Sequence, residues 1–503
     1  MSYLRLENIT KSFGNFIAND NINLSVNRGS IHALSGENGA GKTTLMNILC
    51  GLYQPDKGKI YLEDKMIKIS SANAAIQHGI GMIHQHFMLI PQLTVTENII
   101  LGTKFDLRLD LQAKSREISE MAKSYNLEIN PLAKVEDLSI GTQQRVEILK
   151  ALYRKAKLLI LDEPTAVLTP PEIEILLGIL RKIAKSGYTI IFISHKLEEV
   201  MSLCDTVTVL RRGQVVETIK TAETNSQELA KSMVGREVLF QVNKTAVSGG
   251  DVVLEVKNLQ VKDNRNLLAV KDVSFQLRAG EILGIAGVDG NGQRELADAI
   301  ALLRPVAGGT IRRSPPNPPL EKGGTGKSIA YIPEDRQKMG LVMGFNIAKN
   351  LILKAFYLLP FCRRWLLQYG IINQYAAESI QNFDIRAENP YIKVSQLSGG
   401  NQQKVILARE LSGNPDIIIA MQPTRGLDVG ATEYVQQKLL AERERGAAIL
   451  YISTELEEVM AMSDRIAIMY EGQFVDILDS TTATKEQIGY LIAGGKSAKK
   501  LVD

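Results

Sequence analysis

Gly36-Glu37-Asn38-Gly39-Ala40-Gly41-Lys42-Thr43-Thr44 matches the pattern G-x-x-x-x-G-K-[ST], and everything else in the chain can be placed around it. A strand-like run, Ser30-Ile-His-Ala-Leu, precedes it, and the segment from Thr44 to Leu52 can form a helix. Strand, glycine-rich loop and helix in that order make a phosphate-binding loop. The glycines let the backbone curl so that successive N–H groups face the phosphates, and the helix N-terminus adds positive potential. In such a loop Lys42 reaches the β- and γ-phosphates and the Thr43 hydroxyl holds Mg²⁺. A second stretch ending in Gly326-Lys327-Ser328 is a decoy, because the first glycine of the pattern would fall on Glu321 and a Pro-rich stretch precedes it.

Downstream, Leu158-Leu-Ile-Leu161 is an apolar strand ending in Asp162 and Glu163. Behind a phosphate loop, the first carboxylate is placed to orient Mg²⁺ and the second to act as general base on the attacking water. His195 closes the β-rich run Thr189–Ser194, at the strand edge where open α/β sheets bind ligands, and is expected to sense the γ-phosphate. His84 and His86 lack the further ligands a metal site needs.

The chain repeats itself. Gly36 recurs as Gly287, 251 positions on, and Leu138 of LSIGTQQRV recurs as Leu397 of LSGGNQQKV, 259 positions on. Pro164, Ser194, Asp205 and Gly213 recur at that same offset of 259 as Pro423, Ser453, Asp464 and Gly472. Ile83 recurs as Ile332, an offset of 249, so the second copy gains ten residues before its LSGG. The expected organisation is a first domain over 1–240, a linker over 241–251, a second domain over 252–497 and a tail over 498–503. Apolar β-rich runs alternating with amphipathic stretches make each copy α/β with a parallel, buried sheet. Ser314–Gly326 is Pro/Gly-rich and reads as an exposed loop.

With 503 residues, 45% hydrophobic and 23% charged, the chain is of ordinary globular composition. Its 59 Lys+Arg against 55 Asp+Glu give +4, with no basic run of the kind that binds nucleic acid. Cys50, Cys204 and Cys362 are odd in number and scattered, which excludes a disulfide framework and fits a reducing compartment. The most apolar stretch, Ala355–Ile372, is interrupted by Arg363 and Arg364, short of the ~20 residues a membrane span needs. The N-terminus shows no secretory signal pattern.

The order phosphate loop, glutamine loop, LSGG, Asp-Glu strand and histidine, met twice, resembles the ATP-binding cassette (ABC) family over nearly the whole chain. The resemblance implies two tandem nucleotide-binding domains, each a P-loop α/β core with an antiparallel β subdomain and a helical subdomain. It implies cassettes that close head to tail, each nucleotide lying between one P-loop and the other copy's LSGG helix. Phe13 then resembles the aromatic that stacks on adenine, a packed core Phe being the bland alternative. Gln85 resembles the loop glutamine that contacts Mg²⁺ and the water.

The second copy departs from this pattern at each reactive position. Gln293 and Arg294 stand in place of Lys and Thr after Gly287, Gly290 and Gly292; Met421 and Gln422 replace Asp-Glu; Thr454 replaces the histidine; Glu334 replaces the glutamine. It nevertheless keeps Ser398, Gly399 and Gly400, whereas the first copy's signature, Ser139-Ile140-Gly141-Thr142, is weakened. Head-to-tail pairing therefore implies one hydrolytic site, from the first copy's loop and carboxylates and the second copy's Ser398–Gly400, and one degenerate site that includes Ser139 and Gly141. Thr169 stands where these cassettes usually carry Asp, as Asp428 does in the second copy.

Met82–Pro91, Pro333–Arg336 and Gln422–Asp428 look most like the tandem cassettes of bacterial sugar and nucleoside importers. That implies ATP and Mg²⁺ as cofactors, two transmembrane permeases and an external solute-binding lipoprotein as partners, and a peripheral position on the cytoplasmic face of the membrane, touching it only through the permeases. A soluble tandem cassette acting on ribosomes or DNA is the alternative, expected to keep two working sites with a long charged linker or zinc-binding cysteines. A non-hydrolysing scaffold is disfavoured by the intact Lys42, Asp162, Glu163 and His195.

Overall fold

The computed structural model describes residues 2–14, 16–84, 87–103, 110–165, 168, 170–236, 250–314, 329–492 and 494–495. Gln85, His86, Thr169, most of the linker, the Pro/Gly-rich stretch beyond Ser314 and the C-terminal tail lie outside these residues. The chain divides into two compact units, the first chiefly Met1–Val238, the second chiefly Leu239–Leu427 with Ala431–Asp503.

Each unit is built on a six-stranded sheet. In the first its order is Gln214–Lys220, Thr206–Arg211, Ile31–Ser35, Thr189–Ile193, Leu158–Asp162, Ile80–Ile83. Neighbours are parallel except for the antiparallel edge strand Gln214–Lys220. The second repeats the order from Gln473–Asp479 through Arg465–Tyr470, Ile282–Ala286, Ala448–Ile452 and Ile417–Met421 to Ile329–Ile332. Strands such as Thr189–Ile193 and Ala448–Ile452 are buried throughout, which is why they read as unbroken apolar runs rather than alternating ones.

A smaller antiparallel sheet accompanies each. The first unit has the order Phe16–Asn27, Ser2–Phe13, Lys57–Leu62, Lys65–Ile67, and the second has Leu268–Arg278, Val252–Lys262, Val306–Arg313. Leu4, Leu6, Ile22 and Leu24 of the first meet Leu45 and Met46 of the helix Lys42–Leu49 and Ile160 of the main sheet in one core. A helical part completes each unit. Val95–Ile100, Leu111–Ser124 and Ile140–Tyr153 join a common core through Ile99, Ile118, Ala122, Val146 and Leu149. Their starts follow from sequence: Thr94 and Glu97 form a reciprocal capping box, Asp110 accepts from Gln112 N and Ala113 N, and Ser139 accepts from Thr142 N. Among the described residues no helix is long and apolar enough to cross a membrane.

Candidate nucleotide site

The loop between the strand Ile31–Ser35 and the helix Lys42–Leu49 is held in shape by its glycines. Gly41 sits at φ 101°, and a Cβ there would lie 2.4 Å from Ala18 O, so no other residue fits. The loop carbonyls are satisfied from within the unit. Lys42 Nζ donates to Gly36 O at 2.6 Å and Glu37 O at 3.0 Å, Gly213 N to Ala40 O at 3.1 Å, and Asn19 Nδ2 to Gly41 O at 3.1 Å. Ala40 is buried, Gly39 has φ 82° with open space around it, and Thr43 is exposed on the first helical turn, followed by Thr44. Burial pushes the Lys42 amine down, against the negative charges of Glu163, Asp162 and Glu37 that hold its proton.

Asp162 ends its strand, and Glu163 follows it in the left-handed region at φ 46°. The Glu163 amide donates to Ile193 O at 3.0 Å, which fixes the turn against the neighbouring strand, and His195 Nδ1 lies 2.9 Å from Glu163 Oε1. The strand-edge histidine and the carboxylate thus form a pair. Burial pushes the Glu163 carboxyl up, but the His195 hydrogen bond and charge, with Lys42 and Lys196, outweigh it and leave it below its ordinary 4.5. Asp162 goes the other way: burial and the Glu163 charge raise it, with Lys42 and His84 opposing. Two adjacent, largely buried carboxylates of which one is electrostatically penalised are a donor set that welcomes a cation. Mg²⁺ takes only one or two protein oxygens beside phosphate and water, so Asp162 and the Thr43 hydroxyl fit it. Among the described residues no group of three His, Cys, Asp or Glu could hold a metal by itself.

Phe13 is 44% exposed rather than packed in the core, its ring edge-on to Tyr53 at 5.3 Å. The position of Gln85 is not among the described residues. Glu199 was not legible as part of the site: buried, it accepts from Thr165 Oγ1 at 2.7 Å and Ser194 Oγ at 3.2 Å, tying the segment after Glu163 to the residue before His195. The signal was present in the repeat, since Glu458, 259 positions on, accepts from Thr424 Oγ1 at 2.6 Å, Tyr451 OH at 3.0 Å and Ser453 Oγ at 3.1 Å.

The second unit keeps the geometry and changes the groups. Gly292 has φ 99°, and a Cβ there would lie 2.3 Å from Ala269 O, while Gly287 and Gly290 complete the loop. Gln293, buried, donates to Val288 O at 2.9 Å, the kind of loop-carbonyl bond Lys42 makes, and Arg294 Nη2 approaches Met339 Sδ at 3.1 Å. Met421 is buried at its strand end, and Gln422 sits at φ 44° with its amide on Ile452 O at 2.7 Å. Glu334 forms an ion pair with Arg425, and Arg336 donates to Arg425 O at 2.9 Å. Ser398 and Ser139 both cap their helices, Ser398 accepting from Asn401 N at 3.5 Å. Gly399 and Gly400 open the second helix, and Gly141 in the first leaves room for Glu172, whose Oε1 would be 2.5 Å from a Cβ.

The ABC transporter family profile matches residues 19–166 and 270–425. The chain is 47% identical over 496 residues to the nucleoside import ATP-binding protein NupA of Lactococcus lactis subsp. cremoris, covering 98% of each chain. It is 48% identical over 501 residues to the guanosine import ATP-binding protein NupO of Bacillus subtilis, covering 98% of this chain and 97% of that one. It is 43% identical over 537 residues to the glucose import ATP-binding protein TsgD13 of Haloferax volcanii, covering 99% of this chain and 96% of that one. Among solved structures, the RNase-L inhibitor superposes with a TM-score of 0.63 at 18% identity, covering 97% of this chain and 92% of that one, a likeness of fold alone. The P-loop, the Asp-Glu strand and the signature helix are marks of the ABC transporter family, whose profile matches twice, and the chain belongs to that family as a tandem-cassette ATPase.

Proposed function

We propose that the chain powers import of a small polar solute, a nucleoside or a simple sugar, through two permease subunits supplied by an external binding lipoprotein. In this reading it sits on the cytoplasmic face of the membrane, with domains over 1–240 and 252–497. The import reading is supported by the names of the relatives, and the nucleoside preference by the two at 47% and 48% identity. Hydrolysis takes place at one site per chain, from the first domain's loop and carboxylates and the second domain's Ser398, Gly399 and Gly400.

The observation that carries this is the contrast between the two carboxylate turns. In the first, Glu163 Oε1 meets His195 Nδ1 at 2.9 Å beside Asp162 and Lys42; in the second, Gln422, Thr454, Met421 and Gln293 hold those positions. Glu163, ionised at neutral pH, takes a proton from water as the water oxygen attacks the γ-phosphorus. The bond from that phosphorus to the β-bridging oxygen breaks, leaving ADP and phosphate. His195 orients Glu163, Lys42 holds the β/γ-phosphates, and Phe13 stacks on adenine. Thr43 and Asp162, with Gln85 by resemblance, would hold Mg²⁺, which would supply positive charge to the phosphates.

ATPase assays of three variants test the assignment. Glu163→Gln should lower turnover by roughly 10²–10⁴-fold while ATP binding persists, because the base goes and the cradle stays. Ser398→Arg should stop turnover, while Ser139→Arg leaves it within a few-fold. Wild-type-like turnover in Glu163→Gln, or equal damage from the two serine variants, would sink the single-site reading.

A further inference from the structure

The helical parts of the two units differ most between their first two helix caps. Sixteen positions separate the helix caps Thr94 and Asp110 in the first unit, and twenty-two separate Asn346 and Gln368 in the second. The longer connection contains a two-stranded hairpin, Cys362–Arg363 paired with Leu366–Leu367, whose two-residue turn is Arg364-Trp365. Its base is firmly set: Gln368 N donates to Phe361 O at 2.8 Å, Cys362 N to Leu358 O at 2.9 Å, and the Phe361 ring packs on Tyr375 at 5.0 Å.

Its tip is the reverse of a folded core. Trp365, the single tryptophan of the chain, is 98% exposed; Leu359 is 72% and Leu366 70% exposed. Arg364 and Trp365 both take positive φ, 51° and 67°, in a tight turn that elsewhere goes to Asn or Gly. Bulky side chains are thus presented where the local backbone disfavours them. The charge along the connection has one sign. From Lys354 to Ile372 there is no acidic residue, and Arg363 and Arg364 are exposed beside the tryptophan. Among the described residues neither arginine is joined to a carboxylate.

A protruding Trp-Leu tip flanked by unpaired guanidinium groups has the chemistry of a membrane–water interface. Indole settles at the headgroup level, leucine reaches the acyl boundary, and arginine meets lipid phosphate. We propose that this hairpin touches an anionic lipid surface directly, adding a contact of the second cassette's own to any made through permeases. The inference rests on the chain working at a membrane face. By itself so small a contact binds weakly. In an assembled complex already held at the bilayer, the contact is intramolecular and its effective concentration high.

The sole tryptophan reports on its own environment. The purified full chain is mixed with phosphatidylcholine vesicles with and without phosphatidylglycerol, and with vesicles carrying brominated acyl chains. The expected result is a blue shift and bromine quenching of Trp365 emission with the anionic vesicles. Arg363→Gln with Arg364→Gln should weaken binding by about twenty-five-fold, two cations each favoured about fivefold near such a surface. ATPase activity should not change, since neither arginine belongs to the nucleotide site. Trp365→Phe with Leu366→Ser, followed by vesicle pelleting, should lose binding with the arginines in place. An unshifted, unquenched Trp365 with every vesicle overturns the proposal and leaves the importer reading intact. A Trp365 that is shielded in a permease complex but not quenched by brominated lipid also overturns it, assigning the tip to protein. Vesicle binding with no permease ever recovered would uphold the hairpin and count against import.

Discussion

His32 illustrates how a single side chain links this fold to pH. It lies within the strand Ile31–Ser35, buried, its Nε2 2.8 Å from Thr208 Oγ1, and burial pushes its pKa down to about 4. The unfolded chain holds a proton on this ring below its ordinary 6.5 and the folded chain does not. Stability is therefore fully present above pH 6.5 and is lost as pH falls toward 4, by about 3 kcal/mol. His32→Gln should remove that slope: the difference in urea stability between wild type and variant should shrink by this amount between pH 7 and 4, and a constant difference would refute the assignment. Glu163 has a sensitivity of the same sign: held below its ordinary 4.5 by the His195 hydrogen bond and charge against the upward push of burial, it too favours the folded state less as the pH falls into the acid range. The reactive residues Lys42, Asp162, Glu163 and His195 were legible in the sequence because chemistry restricts residue type at fixed spacing. The hydrogen bond joining His195 to Glu163 was not, because it crosses from one strand end to its neighbour and depends on the turn at φ 46°.

At the level of elements, Glu199 and Glu458 staple the carboxylate strand's exit to the histidine strand's exit in each unit. The half that lost its reactive groups keeps this staple, which makes its function structural. Glu199→Ala would leave the Thr165 and Ser194 hydroxyls buried without their acceptor, and should lower unfolding free energy by about 3 kcal/mol. Glu199→Gln keeps an acceptor and should retain turnover within a few-fold; a large loss of kcat in a stably folded Glu199→Gln would give the residue a part in the reaction. Strands were readable from their apolar runs and helix starts from their caps. The short hairpin at Cys362–Leu367 was not: it has no alternating pattern, and its turn uses Arg-Trp where the rule expects Asn-Gly. The sequence pointed instead to an interrupted apolar stretch.

The whole molecule is one architecture written twice, with strand order preserved across both main sheets and the largest length difference in the helical parts. That duplication was legible from the offsets of 251 and 259, because core strands tolerate no insertion while surface connections do. What the repeat cannot carry is a solute, since none of its landmark residues would touch one. Isolation of the chain from its native membrane, with mass spectrometry of what accompanies it, should return two polytopic permeases and a binding lipoprotein. Ribosomal or DNA-repair proteins without a permease would overturn the import reading and leave the ATPase standing. The two carboxylate turns carry one more consequence. Gln422 at φ 44°, bonded through its amide to Ile452, is the backbone twin of Glu163 at φ 46° bonded to Ile193. The second copy thus preserves the contorted main chain on which the first copy seats its base, like a foundation without its building. Building a second working engine there would be a matter of exchanging side chains, with no remodelling of that turn.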